Sequence, residues 1–279
     1  MRRGRLPHLA THYSPNGLPD PEALWSALGE ALSEASNEIL PWLELAPQTN
    51  EVGRSAVLFA GLSHLSSIHE QPIHLFEIGA SAGLNLNLDR YAYRFAGEQF
   101  GDPDSPLELS PSWQGPLPPC RKVEIASRRG CDVFPLDTTD PGDREQLLAY
   151  VWPDQTERVE RLAQALDIAT SHPVRIEKAE AAEWTEQAIP PTGLRVLMHS
   201  IAFQYFPRDS QQRIAQHMEA IGTRSDAALA WLRFELDPEL ENRFSLRLRL
   251  WPGGSDRLLA IAGPHGTPIE WIPPTMGER

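Results

Sequence analysis

The stretch HLFEIGASAGLNLNLDR, residues 74–90, decides the fold. A short apolar run of strand length leads into a loop of small residues, and the loop leads into a run with helical character. A strand, a glycine-containing loop and a helix in that order form the unit that opens a doubly wound α/β sheet. Inside the loop, Gly79-Ala80-Ser81-Ala82-Gly83 has two chemical readings. Ser81 is either the nucleophile on a strand-to-helix elbow, or a spacer in a backbone cradle for a nucleoside ligand.

The hydrolase reading takes Ser81, Asp237 and His265 as a triad, because their chain order is that of α/β-hydrolases and each follows an expected strand. Three features oppose it. The residues upstream of 71 read as helices, although a nucleophile strand normally follows several others. No HGGG-type oxyanion segment precedes Ser81. Glu77 would also end a buried strand with a carboxylate that needs a polar partner. The nucleoside reading uses Glu77: an acid at the carboxyl edge of the sheet faces the place where ligands bind. Gly79 and Gly83 then remove Cβ atoms where backbone and ligand approach closely, and the following helix offers its first amides. A dinucleotide would call for glycine where Ser81 stands, so the spacing suits a cationic ligand without a phosphate.

Outward from the loop, strand and helix alternate. Upstream, Asp20 can cap a helix that has Pro21 at its first position, and a second helix is expected from about Asn50 to Ile68, ended by Pro72. Residues 96–119, rich in Pro, Gly, Asp and Ser, read as a long loop with a short hairpin. Downstream, KVEIAS is a strand expected to end near Ser127. After two helical stretches come the strand PVRIEKA, the helix AAEWTEQA, the strand LRVLMHSIAF, the helix SQQRIAQHMEAIG and the strand ALAWLRFEL. FSLRLRLWPGGSDRLLAIAG alternates on both sides of Pro-Gly-Gly and reads as a hairpin, completed by a strand near PIEWI. Nearly continuous apolar strands between helices imply a mostly parallel sheet covered on both faces, closed by an antiparallel hairpin.

The bulk properties narrow the partners. With 38 acidic and 25 basic side chains the net charge is −13, which disfavours a nucleic-acid partner. No apolar run reaches the ~18–20 residues of a membrane span, and the basic start lacks the apolar core of a secretory signal. Cys120 and Cys131 have neither disulfide-framework nor zinc-site spacing, so the sequence points to the cytoplasm and to no metal.

The segment EIGASAGLN resembles the first motif of class I S-adenosylmethionine-dependent methyltransferases. QTNEVGRSA (48–56), EIGASAGLNLNLDRY (77–91), GDPDSP (101–106), PLDTTDPGDR (135–144) and VWPDQTERVERL (151–162) together resemble a bacterial domain-of-unknown-function family. The resemblance implies a seven-stranded methyltransferase-like Rossmann sheet over 71–279, with residues 1–70 as an N-terminal arm and helical cap. It also implies S-adenosylmethionine as cofactor. Gly79, Ala80, Ser81 and Gly83 would line its methionine part, with Glu77 beneath and Asn85 adding a polar contact. Asp132 would hold the ribose, and Glu180, with Glu177 as rival, the adenine amino group. His199 would act as general base and Tyr205 would wall the substrate side. Asn50, Glu51 and Arg54 would reach the cleft from the cap, or else pair on a solvated face. The expected function is methyl transfer to a small molecule or a protein side chain. The alternatives are a non-catalytic nucleoside-cofactor binder or scaffold of the same fold, and a serine hydrolase.

Overall fold

The computed structural model describes residues 6–12, 20–44, 48–224 and 227–272. The described residues from Asn50 to Arg144 and from Arg161 onward make one compact unit; those up to Thr49, with Glu145–Glu160, make another. The smaller unit includes the helices α1 (Pro7–Ala10), α2 (Pro21–Glu34) and α3 (Ser36–Ile39). The Asp20 carboxylate accepts the Glu22 amide at 3.3 Å with Pro21 in the first turn, as the capping pattern requires. Leu9, Ala27 and Ala31 form its small core.

The larger unit is built on α4 (Arg54–Ile68), a nine-stranded sheet and a three-stranded one. The strands are β1 (Ile73–Ile78), β2 (Ala92–Phe95), β3 (Glu98–Gly101), β4 (Glu108–Leu109), β5 (Trp113–Gln114), β6 (Ile125–Asp132) and β7 (Ile176–Lys178). They continue with β8 (Leu194–Ser200), β9 (Leu229–Asp237), β10 (Arg243–Trp251), β11 (Ser255–Ala262) and β12 (Ile269–Trp271). Helices α5 (Pro141–Ala149) and α6 (Thr156–Ser171) lie between β6 and β7, while α7 (Ala181–Ala188) and α8 (Arg208–Arg224) flank β8 in sequence. The order across the main sheet is β5-β12-β11-β10-β9-β8-β1-β6-β7. From β7 to β9 the neighbours are parallel, and from β9 to β12 they form an antiparallel meander.

The sheet therefore has nine strands, not seven. Strand β12 is the one expected near PIEWI, whereas β5 lies in the stretch expected to be mostly loop, and the two pair outside β11. An apolar, alternating β11 left at the edge would be a template for pairing with other chains, and two short strands blunt it. The Trp113 and Trp271 rings stack there, with centroids 5.9 Å apart. The hairpin expected around Pro252-Gly253-Gly254 is present as β10–β11. The stretch expected to be mostly loop holds a second, three-stranded sheet, β3-β2-β4. Ala96 and Gly97 both take positive φ at its tight turn, the backbone that a two-residue hairpin needs.

Three further expectations shift. Strand β6 continues past Ser127 to Asp132 through the polar run Arg128-Arg129. Each arginine is neutralised, Arg128 by Asp89 at 2.9 Å and Arg129 by Glu177 at 2.7 Å, so the strand carries them. The run after Gly83 is a 3-10 segment, Leu84–Arg90, broken at Asn87, rather than an α-helix. Helix α4 begins at Arg54 rather than Asn50.

Every residue of α4 from Ser55 to Leu65 is buried. A helix apolar all round must be enclosed on all sides. One side meets β9, β10 and β11, where the bare α-carbon of Gly61 faces Leu232 and Leu246. Elsewhere the Phe59 ring stacks on Tyr93 of the small sheet at 4.2 Å. The opposite face of the main sheet is covered by α7 and α8, with Phe76, Ile78, Trp184, Leu197, Ile214, Met218 and Trp231 in one cluster. No described helix is long and apolar enough to cross a membrane.

Candidate functional site

The carboxyl ends of β1, β6 and β8 converge on one polar centre. Alternation along β1 turns Phe76 and Ile78 toward α7 and α8 and sends Glu77 to the α4 side. There Glu77 is 2% exposed. The Asn85 side-chain amide donates to its Oε1 at 3.2 Å, and the Ser55 hydroxyl donates to Asn85 Oδ1 at 2.8 Å. Ser200, the last residue of β8, brings its hydroxyl to 3.5 Å from Asn85 Nδ2. Burial above all, partly offset by the Asn85 hydrogen bond, pushes the Glu77 carboxyl up to about 8. Its second oxygen, Oε2, is buried with no hydrogen-bond partner among the described residues.

The loop beside it is closely held. Gly79, Ser81 and Gly83 all take left-handed φ, 66°, 53° and 73°. Ala80 is fully buried, and its amide donates to the Cys131 carbonyl at 3.0 Å. The Ser81 amide donates to Asp132 Oδ2 at 2.8 Å, and the Leu84 amide to Asn50 Oδ1 at 3.3 Å. The amides expected to meet a ligand thus already serve the protein. The glycines make room for protein as well. A Cβ on Gly79 would lie 2.7 Å from that of Ala202, and one on Gly83 would lie 2.7 Å from Ile176 Cδ1. The Ser81 hydroxyl, by contrast, is buried and without a partner among the described residues.

Asp132 is the terminal residue of β6, and its Oδ1 also accepts the Phe134 amide at 2.9 Å, so it braces two turns. Glu180 caps α7, accepting the Ala182 and Glu183 amides at 2.9 and 3.0 Å. Glu177 is the partner of Arg129. His199 is fully buried. Its Nδ1 lies 2.7 Å from Glu235 Oε1, its Nε2 accepts the Trp231 indole N–H at 3.0 Å, and Phe203 stacks on the ring. Both nitrogens are committed, which opposes the expected role as general base. Tyr205 is 76% exposed and extends from the turn Phe203–Tyr205 into solvent rather than walling a cleft.

The 50–54 segment turns inward, not onto a solvated face. Asn50 and Glu51 are buried, and Glu51 Oε1 accepts the Gly53 amide at 3.0 Å. Arg54 donates to the carbonyls of Ser200 and Pro264, each at 3.0 Å, and so clamps the end of β8 to the turn after β11. Asp237 accepts from Ser245, from Arg247 and from the Glu239 amide, while His265 sits 3.4 Å from Glu51. Asp237 and His265 of the hydrolase triad thus hold partners other than Ser81.

Sequence reasoning missed Ser55, Ser200 and Glu235. The two serines show no pattern beyond sitting in apolar elements. Glu235 is legible only as an acid near the carboxyl end of β9, and its Oε1 also accepts the Ala202 and Phe203 amides.

No curated protein and no solved structure matches the chain. A family does: over residues 1–271 the sequence matches the one described as "Uncharacterized protein conserved in bacteria (DUF2332)". The protein belongs to that bacterial family.

Proposed function

We propose that the protein binds S-adenosylmethionine at the carboxyl ends of β1 and β6 and transfers its methyl group to a small molecule or a protein side chain. One observation carries the reading. Two buried polar atoms, Glu77 Oε2 and Ser81 Oγ, have no partner among the described residues at the point where crossovers leave the sheet in opposite directions, between β1 and β8. Unpaired buried polar groups are costly, and this is where a doubly wound sheet takes its ligand. A polyhydroxylated, cationic nucleoside would satisfy both atoms. The bound cofactor supplies an electrophilic methyl group. Glu77, oriented by Asn85, meets its positive charge, and Asp132 offers a carboxylate at the neighbouring strand end. Burial of the loop excludes water, which sharpens such interactions. The net charge of −13 fits an acceptor that is not nucleic acid. Cys120 and Cys131 are both free, which fits a reducing cytoplasm.

Calorimetric titration with S-adenosylmethionine and S-adenosylhomocysteine tests the reading; no heat of binding at millimolar ligand refutes it. A second reading, a cofactor binder without turnover, draws support from the committed ring of His199 and the exposure of Tyr205. Binding without loss of the methyl group across acceptor pools would select it.

A further inference from the structure

Resting on the cofactor reading, we infer that Glu51 and His265 form the proton-accepting dyad of the site, so that the methyl acceptor is a group that must shed a proton, a hydroxyl or an amine. The pair joins the start of α4 to the turn Gly263-Pro264-His265-Gly266, and its placement is enforced from both sides. A Cβ on Gly53 would lie 2.3 Å from the His265 carbonyl oxygen, and one on Gly266, at φ +77°, would lie 2.1 Å from the Gly53 carbonyl oxygen. Neither backbone tolerates any other residue there, so the turn rides directly on the helix start. Arg54 fixes it further through the Pro264 carbonyl, and the same guanidinium grips Ser200, whose hydroxyl neighbours the Asn85–Glu77 pair. The turn is therefore tied to the polar centre through a single side chain.

The chemistry of the pair differs from that of an ordinary surface contact. Glu51 has a side chain 5% exposed, with one oxygen fixed by the Gly53 amide and the other 3.4 Å from His265 Nδ1. His265 is 49% exposed. A buried carboxylate behind a half-exposed imidazole orients the ring and stabilises the cation that forms when it takes a proton, the logic of a base and its orienting acid. From the helix start, Glu51 faces the ring and Arg54 meets the turn through the Pro264 carbonyl. His199 is unsuited to the task because both of its nitrogens are committed. In the transfer, the acceptor's lone pair forms the bond to the methyl carbon, the carbon–sulfur bond gives its electron pair to the sulfonium sulfur, and the acceptor's proton passes to His265 and then to water.

Two measurements on the full chain test the assignment. Carbethoxylation of histidines by diethylpyrocarbonate, read by mass spectrometry, should slow about fivefold or more at His265 when S-adenosylhomocysteine saturates the protein. It should not change at exposed His172. His265→Gln should keep the affinity for S-adenosylhomocysteine within about twofold. With tritiated S-adenosylmethionine and a bacterial small-molecule extract, His265→Ala should label products about a hundredfold more slowly than wild type, with partial recovery in added imidazole. If S-adenosylhomocysteine binds and His265 reacts at an unchanged rate, the dyad lies outside the site and the inference is overturned while the cofactor reading stands. Loss of binding in His265→Gln also overturns it, because the ring is then a cofactor ligand. Failure of the wild type to bind refutes the cofactor reading itself, and the dyad's role falls with it.

Discussion

Replacing Glu77 with glutamine isolates the energetics of the buried carboxyl at the end of β1. Burial, opposed by the Asn85 hydrogen bond, lifts this group from 4.5 to about 8. The unfolded chain releases the proton near the lower value and the folded chain near the higher one. The stability that comes from keeping Glu77 neutral is therefore complete below about pH 4.5. It drains away as pH rises toward 8, because over that window only the unfolded state gains by ionising. At 1.36 kcal/mol per unit, the folded state has lost about 3 kcal/mol by pH 7, and most of that loss, about 2.5 kcal/mol, falls between pH 5 and pH 7. Glutamine keeps an oxygen that can accept from Asn85 and has no proton to lose. Urea unfolding from pH 5 to pH 8 should then show Glu77→Gln gaining on the wild type by about 2–3 kcal/mol between pH 5 and pH 7, at constant m-value. Parallel stability curves over that range would refute the reasoning. They would mean that Glu77 is already ionised in the folded chain, with Arg54 carrying the compensation.

Other outcomes follow from the packing and the ionisations. A Cβ on Gly222 of α8 would lie 2.5 Å from the buried Trp251 ring, so Gly222→Ala should lower stability by about 1–2 kcal/mol in thermal melts, its ~1 kcal/mol gain in helix propensity notwithstanding. His64 of α4 is buried, and neither ring nitrogen has a hydrogen-bond partner among the described residues; burial first, and then the charge of Arg257, pull it below its usual range. Its neutral form supports stability above pH 6.5 and loses that support as pH falls, so His64→Leu should flatten the acid side of the stability profile measured by urea unfolding. A fluorophosphonate probe should leave Ser81 unlabelled in intact-mass spectra, because no base among the described residues is bonded to its hydroxyl and Asp237 is held by Arg247.

Most of the parallel half was legible in the sequence because its signals are local. The apolar run over 73–78, the Asp20 cap and the Pro-Gly-Gly turn each report on their own neighbourhood. The failures lie where distant partners override local preference. Arg128 and Arg129 look like the end of a strand until Asp89 and Glu177 neutralise them from elsewhere in the chain. Leu84–Arg90 has helical spacing, yet its first amide is taken by Asn50 and the turn tightens to 3-10 form. In the site, Glu77 stood out because an acid at the end of a buried strand needs a reason. Its supports, Ser55 and Ser200, are too common as residue types to be noticed. His199 misled for the opposite reason: a histidine at a strand end suggests a base, and only the fold shows Trp231 and Glu235 closing over its two nitrogens.

The enclosure of α4 also has a consequence in time. This helix is synthesised early, yet the strands it packs on, β9 to β11, come from the last fifth of the chain. At ~5–20 residues per second, this largely apolar helix must wait on the order of ten seconds or more on the ribosome before its cover exists. Nascent chains stalled before residue 229 should therefore recruit holding chaperones, and release them once the meander emerges.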